Sequence, residues 1–288
     1  MKISSKIIKG LKNKNFNRII NLVEFNSVKG QLLEIETKLS KNFNEYQYDP
    51  SHKIYLYSQN LLSIFSEEFS VTKEFNEYYD IVVEMDNDFI PYGPPMSPLT
   101  ASYFTFWCFC DFRFGSEKET IGTIFYDLAY ENKFDELLLK SIQNLNKSYM
   151  GFYVHNGFDN DLIILKEIMT NKEFRCICPT GYKGSKGEIW YVRIAPNIDS
   201  IYNYHIILNT PYVIINYKEK DWISYFQRQS ITKENIHYSE KLYQLLKYNS
   251  DNKYWHNYIM DAYVNSFYDR ISLTGIPDLK GTKPHELN

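Results

Sequence analysis

No run of apolar residues in this sequence is long enough to cross a bilayer. The longest, YFTFWCFC at 103–110, is closed by Asp111 and Arg113, far short of the ~20 residues a spanning helix needs. The first residues never build a continuous apolar stretch ahead of a small-residue cleavage site, so no secretory leader is expected. Cysteine is scarce, with four in 288 residues, set as two C-x-C pairs, Cys108/Cys110 and Cys176/Cys178. Structural zinc sites prefer about two to four intervening residues, and nothing in the pattern calls for disulfides. The expected compartment is the cytoplasm. On strands, Cys176 and Cys178 would share a face with Phe174, and Cys108 and Cys110 one with Phe106 and Phe112. Both pairs then read as small apolar filler.

Catalytic signatures are also missing. The six histidines, at 52, 155, 205, 237, 256 and 285, are scattered, with no H-x3-H pair and no H-E-x-x-H. His205, between Tyr204 and Ile206, reads as a half-buried packing residue. There is no G-x-S-x-G elbow and no G-x4-G-K-[ST] loop. No cofactor is expected.

Aromatics are plentiful: 26 Tyr and 19 Phe bring the aromatic share to 17%. These residues, like Asn, Lys and Ile, have A/T-rich codons, which accounts for much of the excess. The net charge is −3, but residues 1–18 hold six cations and no acid, so the rest of the chain carries −9. An acidic body with a basic N-terminal arm is unlike a dedicated nucleic-acid binder, which spreads positive charge over a folded face. The arm, with Ile3, Ile7 and Leu11 at helical spacing, reads as a solvated terminal segment able to touch phosphates or an anionic surface.

Apolar spacing predicts helices over 30–42 and 54–69, then a strand, YYDIVVEM, at 78–85. Four prolines in 91–99 make that stretch a connector. Residues 120–145 read as two helices broken near Asn132. From 149 to 217 the period shortens to about six short strands, a small twisted sheet or partly closed barrel. Helices return around Trp222, Leu242 and Trp255, and the tail from Leu273 reads as irregular. The expected architecture is α+β, with helical N- and C-terminal parts around a small antiparallel β-sheet or barrel. The expected divisions are 1–90, 91–148, 149–217 and 218–288.

Two stretches invite a functional reading. In CPTGYKGSKGEIWYVRIAP, at 178–196, a phosphate loop would need its last glycine to open a helix. Here Gly187 precedes the period-two run EIWYVRIAP, so the stretch reads as a turn with Lys183 and Lys186 holding its tip in water. In DIVVEMDND, Glu84, Asp86 and Asp88 alternate at the end of an apolar strand, where converging carboxylates would suit a hard divalent cation. That pattern resembles the metal site of nucleotide-sugar glycosyltransferases, although residues 1–77 lack the α/β half those enzymes place before it.

LKEIMTNKEFRC, GYKGSKGEIWYVRIAP, TPYVI, DWISYF and GIPDLKGTKPH resemble segments of a family of uncharacterised bacterial proteins, and the A/T-rich residue usage would suit a giant-virus member. From FWCFCDFRF to RIAP the chain is also similar to the region upstream of SEC-C zinc tails. There an aromatic Asp-x-Arg segment precedes helices and a β module with a Leu-x-Asp-x-x-Thr-Gly-like hairpin. Glu167 and Asn171 stand here in place of that Asp and Gly. The cysteine-rich tail is absent, so no zinc-linked role is implied. The resemblance covers about residues 100–285 and implies continuity of fold without an assigned chemistry.

The leading expectation is a non-enzymatic interaction or assembly protein with a protein partner or self-association, since Tyr, Trp and Phe favour contact surfaces. Ile189, Tyr191 and Arg193, on the less apolar face of their strand, are the expected partner-facing patch. A second expectation is nucleic-acid contact through the basic arm and the Lys183/Lys186 turn. A third is a metal-dependent transferase using Glu84, Asp86 and Asp88.

Overall fold

The computed structural model describes residues 1–12, 49–70, 72–198, 203–229, 231, 237–249 and 252–275. The helix expected over 30–42, Lys14 and Arg18 of the arm, and the tail beyond 275 lie outside the described residues. Within them are nine α-helices and eight strands, so the α+β class holds. Contacts gather the chain into two units, Met1–Glu84 with Phe106–Lys147, and Met85–Thr105 with Ser148–Asn288.

The first unit is helical. In α1 (Ile3–Lys12) Ile3 and Ile7 are buried. The first-turn N–H groups of Ile3 and Ser4 donate to the Glu119 carboxylate, which satisfies donors that no helix can satisfy internally. The Ser4 hydroxyl sits 2.8 Å from both Glu119 and Asp127, and Lys2 pairs with Asp127 at 3.7 Å. The described part of the arm is therefore a docked helix and not a solvated segment. Next, α2 (Pro50–Phe69) starts where the Asp49 carboxylate accepts from the N–H groups of Ser51 and His52. Pro50 fills the first turn, where its missing donor costs nothing.

Residues 78–85 correct the expectation of a strand: they belong to α3 (Asn76–Phe89). Tyr78, Met85 and Phe89 are the buried positions, seven and four residues apart, which is one stripe of a helix. Val83 shares strand parity with Met85, yet it is 54% exposed. A second correction falls on the CFC segment. The helix α4 (Ala101–Phe106) continues into a π turn over Trp107–Asp111, closed by the Phe112 N–H on the Trp107 carbonyl at 2.9 Å. All five residues of that turn are buried, so no alternation of polarity marked its period.

The expected break near Asn132 is present between α5 (Ile121–Glu131) and α6 (Glu136–Lys147). Rings fill the middle of this unit: Phe65 lies 4.5 Å from Phe69 and 5.0 Å from Phe125, and Tyr78 lies 5.1 Å from Phe114. Each such pair adds about 0.5–1.5 kcal/mol beyond its burial.

The second unit is built on a closed five-stranded barrel. Its strands are β1 (Met150–Asp159), β2 (Leu162–Glu167), β3 (Glu173–Ile177), β4 (Ile189–Pro196) and β5 (His205–Ile207), in the order β1-β2-β3-β5-β4-β1. The pairs are antiparallel except β3–β5, where Cys176 and Ile177 run parallel beside His205 and Ile206. From β4 the sheet extends through β6 (Tyr212–Ile214) to an unforeseen hairpin, β7 (Tyr263–Ser266) and β8 (Ile271–Leu273).

Strand alternation sorts the side chains as the sequence implies. Tyr153, Ile163, Leu165, Cys176, Trp190, Val192 and Ile194 form one core cluster, with Phe174 and Cys178 packed against it. The opposite face of β1 and β4 is covered by α7 (Glu219–Arg228) and α9 (Tyr254–Ala262). Phe152 stacks 3.9 Å from Trp222 and 4.4 Å from Tyr191, and Tyr191 lies 5.6 Å from Trp255. The helix α8 (Tyr238–Lys247) completes the C-terminal set.

On α9, His256 is fully buried among Phe89, Tyr103 and Phe104, and burial pushes its pKa down to about 3. Because the folded value is depressed, the neutral ring's contribution to stability is complete above the free-imidazole range and is lost as pH falls from there toward 3. Between pH 7 and 4 the loss from this residue is about 3 kcal/mol. Burial also lowers His52 and His205, so part of the acid sensitivity is theirs. Urea midpoints are expected to drop less over this range in His256→Phe than in the native chain. Equal drops would refute the assignment.

Candidate functional site

The glycine stretch 178–188 runs from β3 to β4 and is a turn, with Gly181, Gly184 and Gly187 all at positive φ. Its backbone is pinned to β1. The Gly187 N–H donates to the His155 carbonyl and the His155 N–H to the Glu188 carbonyl, each at 2.8 Å. The His155 ring is buried; Nε2 meets the Lys183 carbonyl at 3.0 Å and Nδ1 accepts from the Gly157 N–H at 3.1 Å. A neutral ring with its proton on Nε2 satisfies both bonds.

The loop also folds over the barrel's end. Glu188 Oε2 accepts from the Tyr182 hydroxyl at 3.0 Å and from Trp190 Nε1 at 2.9 Å. Tyr182 lies 5.1 Å from the Trp190 ring. Burial, followed by the bond to Glu188, pushes the Tyr182 hydroxyl's pKa well up, which keeps it a donor. At Gly184 a Cβ would come within 2.4 Å of Trp190 Cζ2, whereas Gly181 and Gly187 face open space.

The turn between β7 and β8 meets this loop. Thr180 Oγ1 donates to the Asp269 carbonyl at 2.9 Å. The Arg270 guanidinium lies over two rings, 4.1 Å from Phe267 and 4.8 Å from Tyr182, and pairs with Asp269 at 3.0 Å. The hairpin closes on itself through the Phe267 N–H and the Arg270 carbonyl at 2.8 Å. On this fixed base Phe267 is 44% exposed and Tyr268 fully exposed, at 101%. Lys183 and Lys186 are exposed as well, with no ion pair among the described residues. The turn's backbone is thus fixed to the glycine loop by the Thr180 bond, while the loop carries Lys183 and Lys186 and the turn presents Phe267 and Tyr268 to solvent.

Other expected site residues lie elsewhere. Ile189, Tyr191 and Arg193 are buried, which corrects the partner-facing patch: the face judged less apolar is the one the C-terminal helices cover. Arg193 binds within the fold, its Nη1 donating to the Ser148 carbonyl at 3.0 Å and to the Ser148 hydroxyl at 3.1 Å. The buried Lys247 ammonium reaches the same carbonyl at 2.6 Å.

Glu84, Asp86 and Asp88 are exposed on α3. There a two-residue step turns a side chain through about 200°, so Asp86 points away from the other two. Asp88 pairs with Lys253 at 3.3 Å. Among the described residues no three His, Cys, Asp or Glu side chains gather where a metal ion could sit, so the strand-end carboxylate array is not formed. Lys2, just ahead of α1, and Lys6 and Lys9 on it are exposed in the first unit, and the glycine loop belongs to the second. Burial raises the thiol pKa of Cys176 and Cys178, so neither supplies a thiolate at neutral pH.

Phe267, Tyr268 and Arg270 were missed because the stretch between the helix around Trp255 and the tail from Leu273 was given no reading. The available signal was the polar-aromatic tetrad FYDR between YVNS and ISL, a turn between two short alternating runs. Among the described residues no helix is long and apolar enough to cross a membrane. The chain matches no family model, no curated protein and no solved structure.

Two substitutions probe this description. Gly184→Ala meets both the Trp190 ring and a positive φ of 65°, and should cost about 2–3 kcal/mol. Gly181→Ala and Gly187→Ala meet only the positive φ, and should cost about 1 kcal/mol. Thermal midpoints should rank in that order. For Arg193→Met the expected cost is about 3 kcal/mol in urea unfolding; a surface residue there would change stability by no more than about 0.5 kcal/mol.

Proposed function

We infer that this chain is a binding protein, without chemistry of its own, that engages its partner through the glycine loop and the β7–β8 turn. The observation that carries this reading is the exposure of Phe267 and Tyr268 on a turn whose backbone and flanking side chains are fixed to the barrel. A turn whose backbone is already fixed loses little main-chain freedom on association, so more of the contact area its rings offer is retained as affinity. The displaced titratable groups add support. For Tyr153, Tyr212, Tyr258 and His256 the leading cause is burial in packed core, which serves stability and not proton transfer at an open site.

The test is affinity capture from the source lysate with the native chain, a Phe267→Ala/Tyr268→Ala variant and a Tyr92→Ala/Met96→Ala control. The control removes two other exposed apolar side chains of the same unit. A retained species should fall at least about tenfold with the first variant, as for an aromatic anchor, and stay with the second. Identical profiles for all three proteins would overturn the reading.

A further inference from the structure

Resting on that reading, we propose that the partner at this surface is a single-stranded nucleic acid. Bases stack on the exposed Tyr268 and Phe267 rings, and the backbone runs past Lys183 and Lys186. The choice of class follows from which side chains share the surface. Protein–protein interfaces enrich aromatics but are depleted in lysine. Rings interleaved with Lys and Arg are instead the pattern that takes unpaired bases and phosphates together.

The acids of this surface are already engaged. Glu188 holds Tyr182 and Trp190, and Asp269 pairs with Arg270. Lys183 and Lys186, with no ion pair among the described residues, therefore remain as uncompensated charge. Arg270, paired with Asp269 and stacked on Phe267 and Tyr182, is fixed within the turn and leaves the positive charge of the surface to the two lysines.

A ring at the tip of a hairpin reaches a base face only where the strand is unstacked. In a duplex those faces are hidden, so single strands are the class selected. Sequence preference is expected to be slight, because every base has a face to stack. Across residues 149–217 basic and acidic residues balance at six each, so the attraction is local and the affinity rests on stacking as much as on charge.

Fluorescence anisotropy of the full chain with labelled oligo-dT and oligo-U of about twelve nucleotides, and with a duplex of equal length, tests this directly. Binding should favour the single strands. Tyr268→Ala should weaken it roughly tenfold with the salt slope unchanged. Lys183→Ala/Lys186→Ala should reduce the slope of log affinity against log salt by about 1.4, the value for two phosphate contacts on a single strand. Absence of binding, equal or tighter duplex binding, or indifference to Tyr268→Ala would each overturn the proposal. Capture from nuclease-treated lysate separates the two readings. A protein that is retained there and lost with Tyr268→Ala, without oligonucleotide binding, rejects nucleic acid and keeps the binding surface; loss of both signals rejects both.

Discussion

The pairing of β1 with β4 sets Phe152 opposite Tyr191 and Tyr153 opposite Trp190, and the rest of the second unit depends on that register. Because side chains alternate along a strand, one register delivers Tyr153 and Trp190 to the barrel interior and Phe152 and Tyr191 to the outer face. The outer pair gives Trp222, Trp255 and Tyr258 something to pack on. A slip of one residue would exchange the two sets and put the indole of Trp190 outside, away from Glu188. The C-terminal helices would lose their seat at the same time. The strand β4 is buried on both sides because both of its faces are used.

The glycine loop follows from that placement. With Trp190 held inside, its Nε1–H needs an acceptor, and Glu188 supplies one while also binding the Tyr182 hydroxyl. The chain must then cross directly over the indole, which is why position 184 cannot carry a side chain. The turn's glycines answer to packing and backbone geometry, and the basic tip is what that geometry leaves in water. Phe267 and Arg270 extend the same ring stack outward, so interior packing and exposed aromatic surface form one continuous structure.

Legibility in the sequence varied with how uneven the burial of each segment is. The period of two in IWYVRIAP was plain, and Asn171, which stands where the resembling hairpin carries Gly, takes the left-handed φ of 57° that an asparagine readily adopts. The inner face was read correctly from Trp190, Val192 and Ile194. Its reverse was misread, because the polar atoms of Tyr191 and Arg193 suggested water where the structure supplies helices and the Ser148 carbonyl. Alternation misled at DIVVEMDND, where adjacent apolar residues fit a strand over a short window and only the wider spacing Tyr78, Met85, Phe89 marks a helix. The CFC turn is buried on all sides, so it offered no period at all.

The sequence by itself determined the order of helices and strands over most of the described chain, the lack of an apolar run long enough to cross a bilayer as a helix, and the turn at 178–188. Those features follow from local rules: apolar period, glycine and proline geometry, and run length. Tertiary structure decided which strand face is covered, that the barrel closes through a parallel β3–β5 pair, and that a hairpin from residues 263–273 brings Phe267, Tyr268 and Arg270 beside Tyr182. These depend on contacts between residues far apart in the chain, 29 positions for Cys176 with His205 and 89 for Thr180 with Asp269. The local pattern of a strand says only which side chains lie together on a face, and a distant segment settles whether that face meets helix, strand or water.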